Sequence, residues 1–137
     1  MGNFEEGLCE GYEFIPSGQS YFIIRPHVKE FIDINISEGK DVAIWSAGNK
    51  IYVDEIASGF NKNFKFIWNA GTCNKDGMKD LRRVVKVFPE YEKLDIIFYD
   101  DNEYQINFNE NLGFFCVRVP EFIIGKDDNF FEIKKFF

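Results

Sequence analysis

The segment that most constrains the fold is Leu94–Tyr99, a short apolar run that ends at the acidic pair Asp100 and Asp101. Its β-branched and aromatic residues predict a buried strand. Adjacent carboxylates repel each other and cost free energy unless a cation lies beside them. Because ligands of open α/β sheets bind beyond the carboxyl ends of the strands, we expect a divalent cation at this pair. The alternative is a solvated acidic turn after a core strand.

Length and composition indicate one globular domain over residues 1–137, since the chain is 45% hydrophobic and 28% charged. The 17 phenylalanines predict a largely aromatic core. The formal net charge of -7 argues against nucleic-acid binding and against docking on an anionic membrane, because both surfaces attract basic proteins.

The remaining compositional features predict an intracellular protein, cytoplasmic or nuclear. The N-terminus lacks the pattern of a signal peptide, and no apolar run is long enough to cross a membrane. Cys9, Cys73 and Cys116 are an odd number without metal-ligand spacing, so we expect free thiols rather than a disulfide framework or a zinc site.

The predicted elements begin with a hairpin over Tyr12–Ile24, around a Pro- and Gly-containing turn. Strands and helices then alternate, which predicts right-handed crossovers and a mainly parallel sheet covered on both faces. The Asn- and Glu-rich stretch before Phe114 carries no predicted element. In chain order the others are a helix from Arg25-Pro26 to Glu38-Gly39, a strand over Asp41–Ser46, a helix from Asn49 with Tyr52, Ile56 and Phe60 buried, a strand over Phe64–Trp68, a helix over Lys79–Phe88, the strand Leu94–Tyr99, a strand over Phe114–Val119, and a closing helix over Asp127–Phe137.

Four polar residues fall at one predicted edge of this sheet. Ser46 ends one strand, Asp100 and Asp101 end another, and Lys79 opens a helix. A hydroxyl and an ammonium suit phosphate oxygens, and paired carboxylates suit Mg²⁺. Taken singly, Ser46 is also typical of a turn residue, and Lys79 of a solvated charge. Together, at strand ends in an α/β pattern, they favour a phosphate site with Mg²⁺.

Four segments, in this order and spacing, resemble a known family. They are Arg25–Phe31, Ile44–Gly48, Lys79–Leu81 and Asp100–Asp101. They are similar to segments of the haloacid dehalogenase superfamily, and within it of the small carboxy-terminal-domain phosphatases, the NLI-interacting-factor group. The resemblance covers about Tyr12–Phe122 and includes the hairpin. It implies an α/β fold that is three-layered and Rossmann-like, with a mainly parallel sheet.

The resemblance also implies roles for individual residues. Ser46 would bind the phosphoryl group, Lys79 would neutralise it, and Asp100 and Asp101 would help to hold Mg²⁺. The implied activity is Mg²⁺-dependent hydrolysis of phosphoserine or phosphothreonine, with a phosphoprotein as substrate or partner. The single histidine, His27, matches a framework position at a helix start, so we expect a structural role rather than a general base.

One departure from the family concerns the nucleophile. The family's first motif, Asp-x-Asp-x-Thr, has no match upstream of Arg25, and no Asp precedes Asp33. In the family this motif ends a central strand, between the strands that end at the positions of Ser46 and Asp100. We therefore expect a sheet without its central first strand, in a domain N-terminally incomplete relative to the family. The nucleophile cannot be assigned to any residue here.

Three functional hypotheses follow from the sequence. In the first, the chain is a phosphatase. Its given sequence starts at an internal Met, or another segment or chain completes it. Alternatively, it is a catalytically inactive relative, a pseudoenzyme that binds phosphate or serves as a scaffold. The third hypothesis is a generic α/β domain without phosphate chemistry.

Overall fold

The computed structural model describes residues 11–18 and 20–132, and within them it shows a mixed α/β protein. The helices are α1 (Val28–Ser37), α2 (Lys50–Phe60), α3 (Arg82–Val87) and α4 (Glu103–Asn111). The strands are β1 (Phe14–Ser17), β2 (Ser20–Ile23), β3 (Ile44–Trp45), β4 (Ile67–Trp68), β5 (Ile97–Asp100) and β6 (Phe115–Arg118). Among these described residues, no helix is both long and apolar enough to cross a bilayer.

The described strands pair into three two-stranded sheets. The pair β1–β2 is the predicted hairpin and is antiparallel. The pairs β3–β4 and β5–β6 are parallel, as the alternation of strands and helices predicted. The α/β class and its parallel pairing are therefore confirmed, whereas the three-layer arrangement stays a prediction.

The chain divides into two compact units, each described here by itself. Of the described residues, the first comprises 11–18, 20–69 and 122–132, and the second comprises 70–121.

The core of the first unit joins the hairpin to the first two helices. Its most buried members are Ile15, Ile24, Ile32 and Phe60. Helix α1 ends where Gly39 adopts a φ of 83°, a left-handed conformation that glycine accepts without strain. Removing these side chains from water supplies most of the free energy that holds the hairpin against the helices.

The C-terminal part of the first unit is anchored at Arg25. The Arg25 guanidinium forms a 2.6 Å ion pair with Asp128, and both side chains are largely buried. Three phenyl rings surround the same guanidinium at 5.2 to 5.8 Å from its carbon, those of Phe122, Phe130 and Phe131. Because a buried charge is costly unless it is paired, this ion pair and the aromatic faces act together to hold the segment.

The second unit is built on β5 and β6, with α4 beside them. Phe98 of β5 is buried, whereas its neighbours Ile97 and Tyr99 are exposed on the other face of the strand. Leu94, predicted as part of the strand, lies in a short 3₁₀ turn and is 85% exposed. The prediction of a fully buried strand was therefore wrong, because only one face of this two-stranded sheet is covered.

The strongly periodic helices were predicted well. Asn49 caps α2 through its side-chain oxygen, which accepts the Tyr52 N–H. The buried face of α2 is shifted from the prediction, since Val53, Ala57 and Phe60 are buried while Tyr52 is 42% exposed.

Other element predictions need correction. The strands predicted over residues 41–46 and 64–68 shorten to two residues each, because only those residues form a ladder. The predicted helix over residues 79–88 begins only at Arg82 and ends before Pro89. Residues 127–132 contain turns and no helix, and the rest of the predicted closing helix lies outside the described residues. Helix α4 was not predicted at all, because two of its three buried residues are amides.

A close contact between α2 and β1 generates a test of the core. A Cβ atom added at Gly59 would clash with Ile15 Cγ2 and would lie 2.8 Å from its Cγ1. We expect Gly59→Ala to lower the free energy of unfolding by about 1–3 kcal/mol, since overpacking outweighs the helix-propensity gain of about 1 kcal/mol. Denaturant unfolding measures this change.

The control for this substitution is Ser58→Ala, at the exposed neighbouring position. It should leave the unfolding free energy within about 0.5 kcal/mol of the original. In an Ile15→Ala background, which lacks both Cγ atoms of Ile15, Gly59→Ala should cost less than it does in the original chain, because the added methyl then has room. Equal stability of Gly59→Ala and the original chain would show that the helix and the hairpin do not pack as described.

Candidate functional site

The central contact of the candidate site is an ion pair between Lys79 and Asp100. Lys79 Nζ lies 2.6 Å from Asp100 Oδ2, and the two side chains are only 12% and 7% exposed. Asp100 is the last residue of β5, and its other oxygen accepts the Asn102 N–H at 2.9 Å. The ammonium also lies 6.0 Å from the centre of the Phe98 ring. Both oxygens of Asp100 are therefore engaged inside the protein.

The Lys79 backbone is held by two amide side chains of α4. Gln105 Oε1 accepts the Lys79 N–H at 2.8 Å, and Gln105 Nε2 donates to the Gly77 carbonyl at 3.1 Å. Asn109 Nδ2 donates to the Lys79 carbonyl at 2.8 Å, and its Oδ1 accepts the Leu81 N–H at 3.0 Å. The prediction that Lys79 opens a helix was therefore wrong. Lys79 lies in an irregular segment that is bound by α4.

Asp101 differs from its neighbour in exposure. It is exposed, and its carboxylate has no hydrogen-bond or ion-pair partner among residues 11–18 and 20–132. It lines an open cleft of about 480 Å³ at the carboxyl ends of β5 and β6. The cleft is lined by Asp101, Asn102, Arg118, Val119, Pro120 and Glu121.

A second, exposed ion pair borders this cleft. Arg118 Nη1 lies 3.1 Å from Glu103 Oε2, and both side chains are about half exposed. Exposed pairs of this kind contribute little to stability, about 0–1 kcal/mol, because water screens them. Arg118 is therefore available to exchange its partner for an anionic group in the cleft.

Ser46 lies in the first compact unit, directly after β3. Its backbone N–H donates to the Trp68 carbonyl at 3.0 Å, and its Oγ accepts the Gly48 N–H at 3.1 Å. The hydroxyl thus keeps its own proton to donate. Gly48 is packed tightly, since a Cβ atom there would lie 3.3 Å from Ser46 Oγ. Ser46 therefore follows a strand, as predicted, and its bond from the Gly48 N–H is the one expected of the alternative, a turn residue.

The structure brings three of the four predicted site residues into one unit. Lys79 contacts Asp100, and Asp101 follows in the chain, while Ser46 belongs to the other unit. His27 precedes α1 with a left-handed backbone, φ 68°. The functional roles of these residues remain predictions.

Sequence reasoning missed the two amides of α4 and the cleft arginine. Gln105 and Asn109 are four residues apart, the spacing that puts side chains on one helix face, and the Asn102 cap marks where that helix begins. Those signals were present in the sequence. They do not form the apolar helical pattern that predicts a helix, because the buried face of α4 is largely polar.

Mg²⁺ fits this site only in part. Within residues 11–18 and 20–132, no three His, Cys, Asp or Glu side chains cluster closely enough to hold a metal ion by themselves. Protein-bound Mg²⁺ often uses one or two carboxylates and completes its shell with water and phosphate oxygens. Asp101 suits that role because it is exposed and unpaired, whereas Asp100 is committed to Lys79.

The Cys116 thiol is not an alternative nucleophile. Burial, with a smaller contribution from the Glu110 charge, raises the pKa of the Cys116 thiol to about 11. Since the thiolate is the reactive form, Cys116 is inert at neutral pH. Cys73 is a free thiol as well, as predicted for both residues, while Cys9 lies outside the described residues.

The observations define a mixed α/β protein with a lysine–carboxylate pair and a polar cleft at the carboxyl end of a parallel strand pair. A family model described as NLI interacting factor-like phosphatase matches residues 9–137. The chain therefore belongs to this phosphatase family, and the resemblance inferred from its four segments is confirmed. A search of curated proteins found no match, and a search of solved structures found none either.

The residue after Lys79 provides a test of local electrostatics. The hydrogen bond from the Arg82 side chain holds the pKa of the Asp80 carboxyl below its usual value. We expect Arg82→Gln to raise the Asp80 pKa toward about 3.9, the value of an unperturbed aspartate. Carboxyl chemical shifts followed by NMR during an acid titration measure the change.

The lowered Asp80 pKa also makes the stability that the Asp80–Arg82 pair contributes depend on pH. Because the folded-state pKa is lowered, the pair's stabilisation is present above about pH 4 and is lost as the pH falls through the lowered pKa. Arg83→Gln is the matched control and should leave the Asp80 titration unchanged. An Asp80 pKa unmoved by Arg82→Gln would contradict the assigned hydrogen bond.

Proposed function

We propose that this chain is the phosphate- and Mg²⁺-binding part of a phosphomonoester hydrolase that acts on phosphoserine or phosphothreonine in proteins. The observation that carries the proposal is the Lys79–Asp100 pair at the end of β5, in a chain matched by the phosphatase family over residues 9–137. In this proposal Lys79 neutralises the phosphoryl oxygens, and Asp100 orients its ammonium.

The two carboxylates take different parts in the proposed site. Asp100 is largely buried and bonded through both oxygens, so it acts on Lys79 rather than on a metal. Asp101 is exposed in the cleft and is the carboxylate that would hold Mg²⁺, on which this family generally depends. Bound Mg²⁺ would neutralise phosphate charge. Ser46, in the first unit, is proposed as a phosphate-binding hydroxyl on the strength of the family resemblance alone.

The attacking carboxylate is not assigned to any of the 137 residues, because Asp-x-Asp-x-Thr does not occur among them. We propose that hydrolysis uses a carboxylate from another segment or chain. The same observation favours a second candidate function, a catalytically inactive module that recognises a phosphorylated partner.

The first test removes the proposed phosphate-side cation. Lys79→Met should weaken the binding of inorganic phosphate, measured by calorimetry with Mg²⁺, by about 10- to 100-fold, since hydrogen bonds to charged groups contribute about 1.5–3 kcal/mol. The matched control is Lys86→Met, which removes an exposed lysine of α3 in the same unit.

Turnover of a generic phosphate ester separates the two candidates when a segment carrying Asp-x-Asp-x-Thr is supplied, because neither candidate assigns the nucleophile to the chain alone. Turnover that is lost in Lys79→Met and kept in Lys86→Met then supports the hydrolase. Phosphate binding without turnover in the presence of that segment supports the inactive module. Absence of both from the original chain would defeat the two candidates together and leave the generic α/β domain.

The second test concerns the metal. Asp101→Asn should raise the Mg²⁺ concentration needed for half-maximal phosphate binding by about tenfold, because it removes a carboxylate ligand. Glu121→Gln removes the same charge from the same cleft and should change that concentration little. Equal effects of the two substitutions would indicate a general charge effect and would overturn the assignment of Asp101.

A further inference from the structure

We propose that Gln105 and Asn109 are positioning residues that hold the backbone on both sides of Lys79 and thereby fix its ammonium at the phosphate site. The inference rests on the proposed function, in which Lys79 meets the phosphoryl group. It adds two residues that do not themselves touch phosphate.

The first step concerns the peptide groups of Lys79. Its N–H donates to Gln105 Oε1 at 2.8 Å, and its carbonyl accepts from Asn109 Nδ2 at 2.8 Å. The same two amides also bind the Gly77 carbonyl and the Leu81 N–H, so three alternate residues of the segment are held by one helix face. The segment has no ladder partner of its own and lies outside the helices and strands. The Gly77 carbonyl, both peptide groups of Lys79 and the Leu81 N–H therefore depend on α4.

The second step concerns the burial of the amides. Asn109 is fully buried, and its remaining N–H bonds the Gln105 carbonyl within α4 at 3.0 Å. Every donor of that amide is thus used. A buried amide costs free energy unless its hydrogen bonds are made, so α4 tolerates these residues only while they bind the segment. An apolar residue of the same size would leave the Lys79 carbonyl unpaired.

The third step joins the backbone to the ammonium. A lysine side chain has four rotatable bonds, so its charge is located only if both ends are fixed. Asp100 fixes the ammonium, and Gln105 and Asn109 fix the backbone. All three belong to one continuous stretch, the end of β5 and the helix that follows. The register of α4 therefore sets both anchors of Lys79 at once, which preorganises the charge for phosphate.

The test removes the anchor at Gln105. Gln105→Met is similar in size and uncharged but cannot bond Lys79 or Gly77. The readout is the NMR signal of the Lys79 ammonium, identified by its loss in Lys79→Met, which a tethered ammonium displays because its protons exchange slowly with water. We expect this signal to disappear in Gln105→Met, and phosphate affinity with Mg²⁺ to fall about tenfold or more, at a temperature where the variant is folded.

A conservative variant keeps the test decisive if Gln105→Met fails to fold. Gln105→Glu retains the oxygen that accepts the Lys79 N–H, so it should restore the ammonium signal. Its phosphate affinity is not compared, because the added charge repels phosphate. Lys93→Met is the control for damage to α4, since it removes a hydrogen bond to the Leu112 carbonyl and a cation–π contact with Phe114, both at the far end of that helix.

Defined outcomes overturn the inference. These are an ammonium signal absent from the original chain, one that persists in Gln105→Met, or one that is also lost in Lys93→Met. Loss of the signal with unchanged phosphate affinity would reduce the amides to a structural role. If the original chain shows the ammonium signal but binds no phosphate, the proposed function fails, while the signal in Gln105→Met still decides whether the amide anchors Lys79.

Discussion

The ion pair between Lys79 and Asp100 is the interaction on which the arrangement of the second unit depends. Two charges that are 12% and 7% exposed are stable only if each has its partner. The pair ties the irregular segment before α3 to the end of β5, and α4 closes the connection through its amides. Removing either charge would leave the other poorly solvated, so the geometry of the site and the stability of the unit are linked.

The environments of the adjacent carboxylates separate their chemistry. Asp100 faces inward and is saturated by an ammonium and a backbone N–H, whereas Asp101 faces a cleft. Asp100 is the last residue of β5 and lies on its buried face, whereas Asp101 follows the strand in an exposed bend, so one can orient a cation while the other is open to a ligand. Because the chain belongs to the phosphatase family, this difference between the two carboxylates bears on which of them could hold a metal ion.

Much of the local structure was predictable where the signals were strong. The hairpin, α1 and α2 follow from turn residues, a glycine stop and the Asn49 cap, all of which act over a few residues. The strands were overestimated because a strand's length is set by pairing with another segment. Helix α4 was missed because Gln105 and Asn109 look like surface residues until their backbone partners at Gly77, Lys79 and Leu81 are seen.

The sequence by itself determined the family, the order of the polar segments and the residue types available at the site. It also determined that Asp-x-Asp-x-Thr does not occur in these 137 residues. Only the tertiary structure decided that Asp100 binds Lys79, that Asp101 is left open, and that α4 holds the lysine backbone. The physical reason is that these contacts join groups 21 to 30 residues apart, which local patterns do not encode.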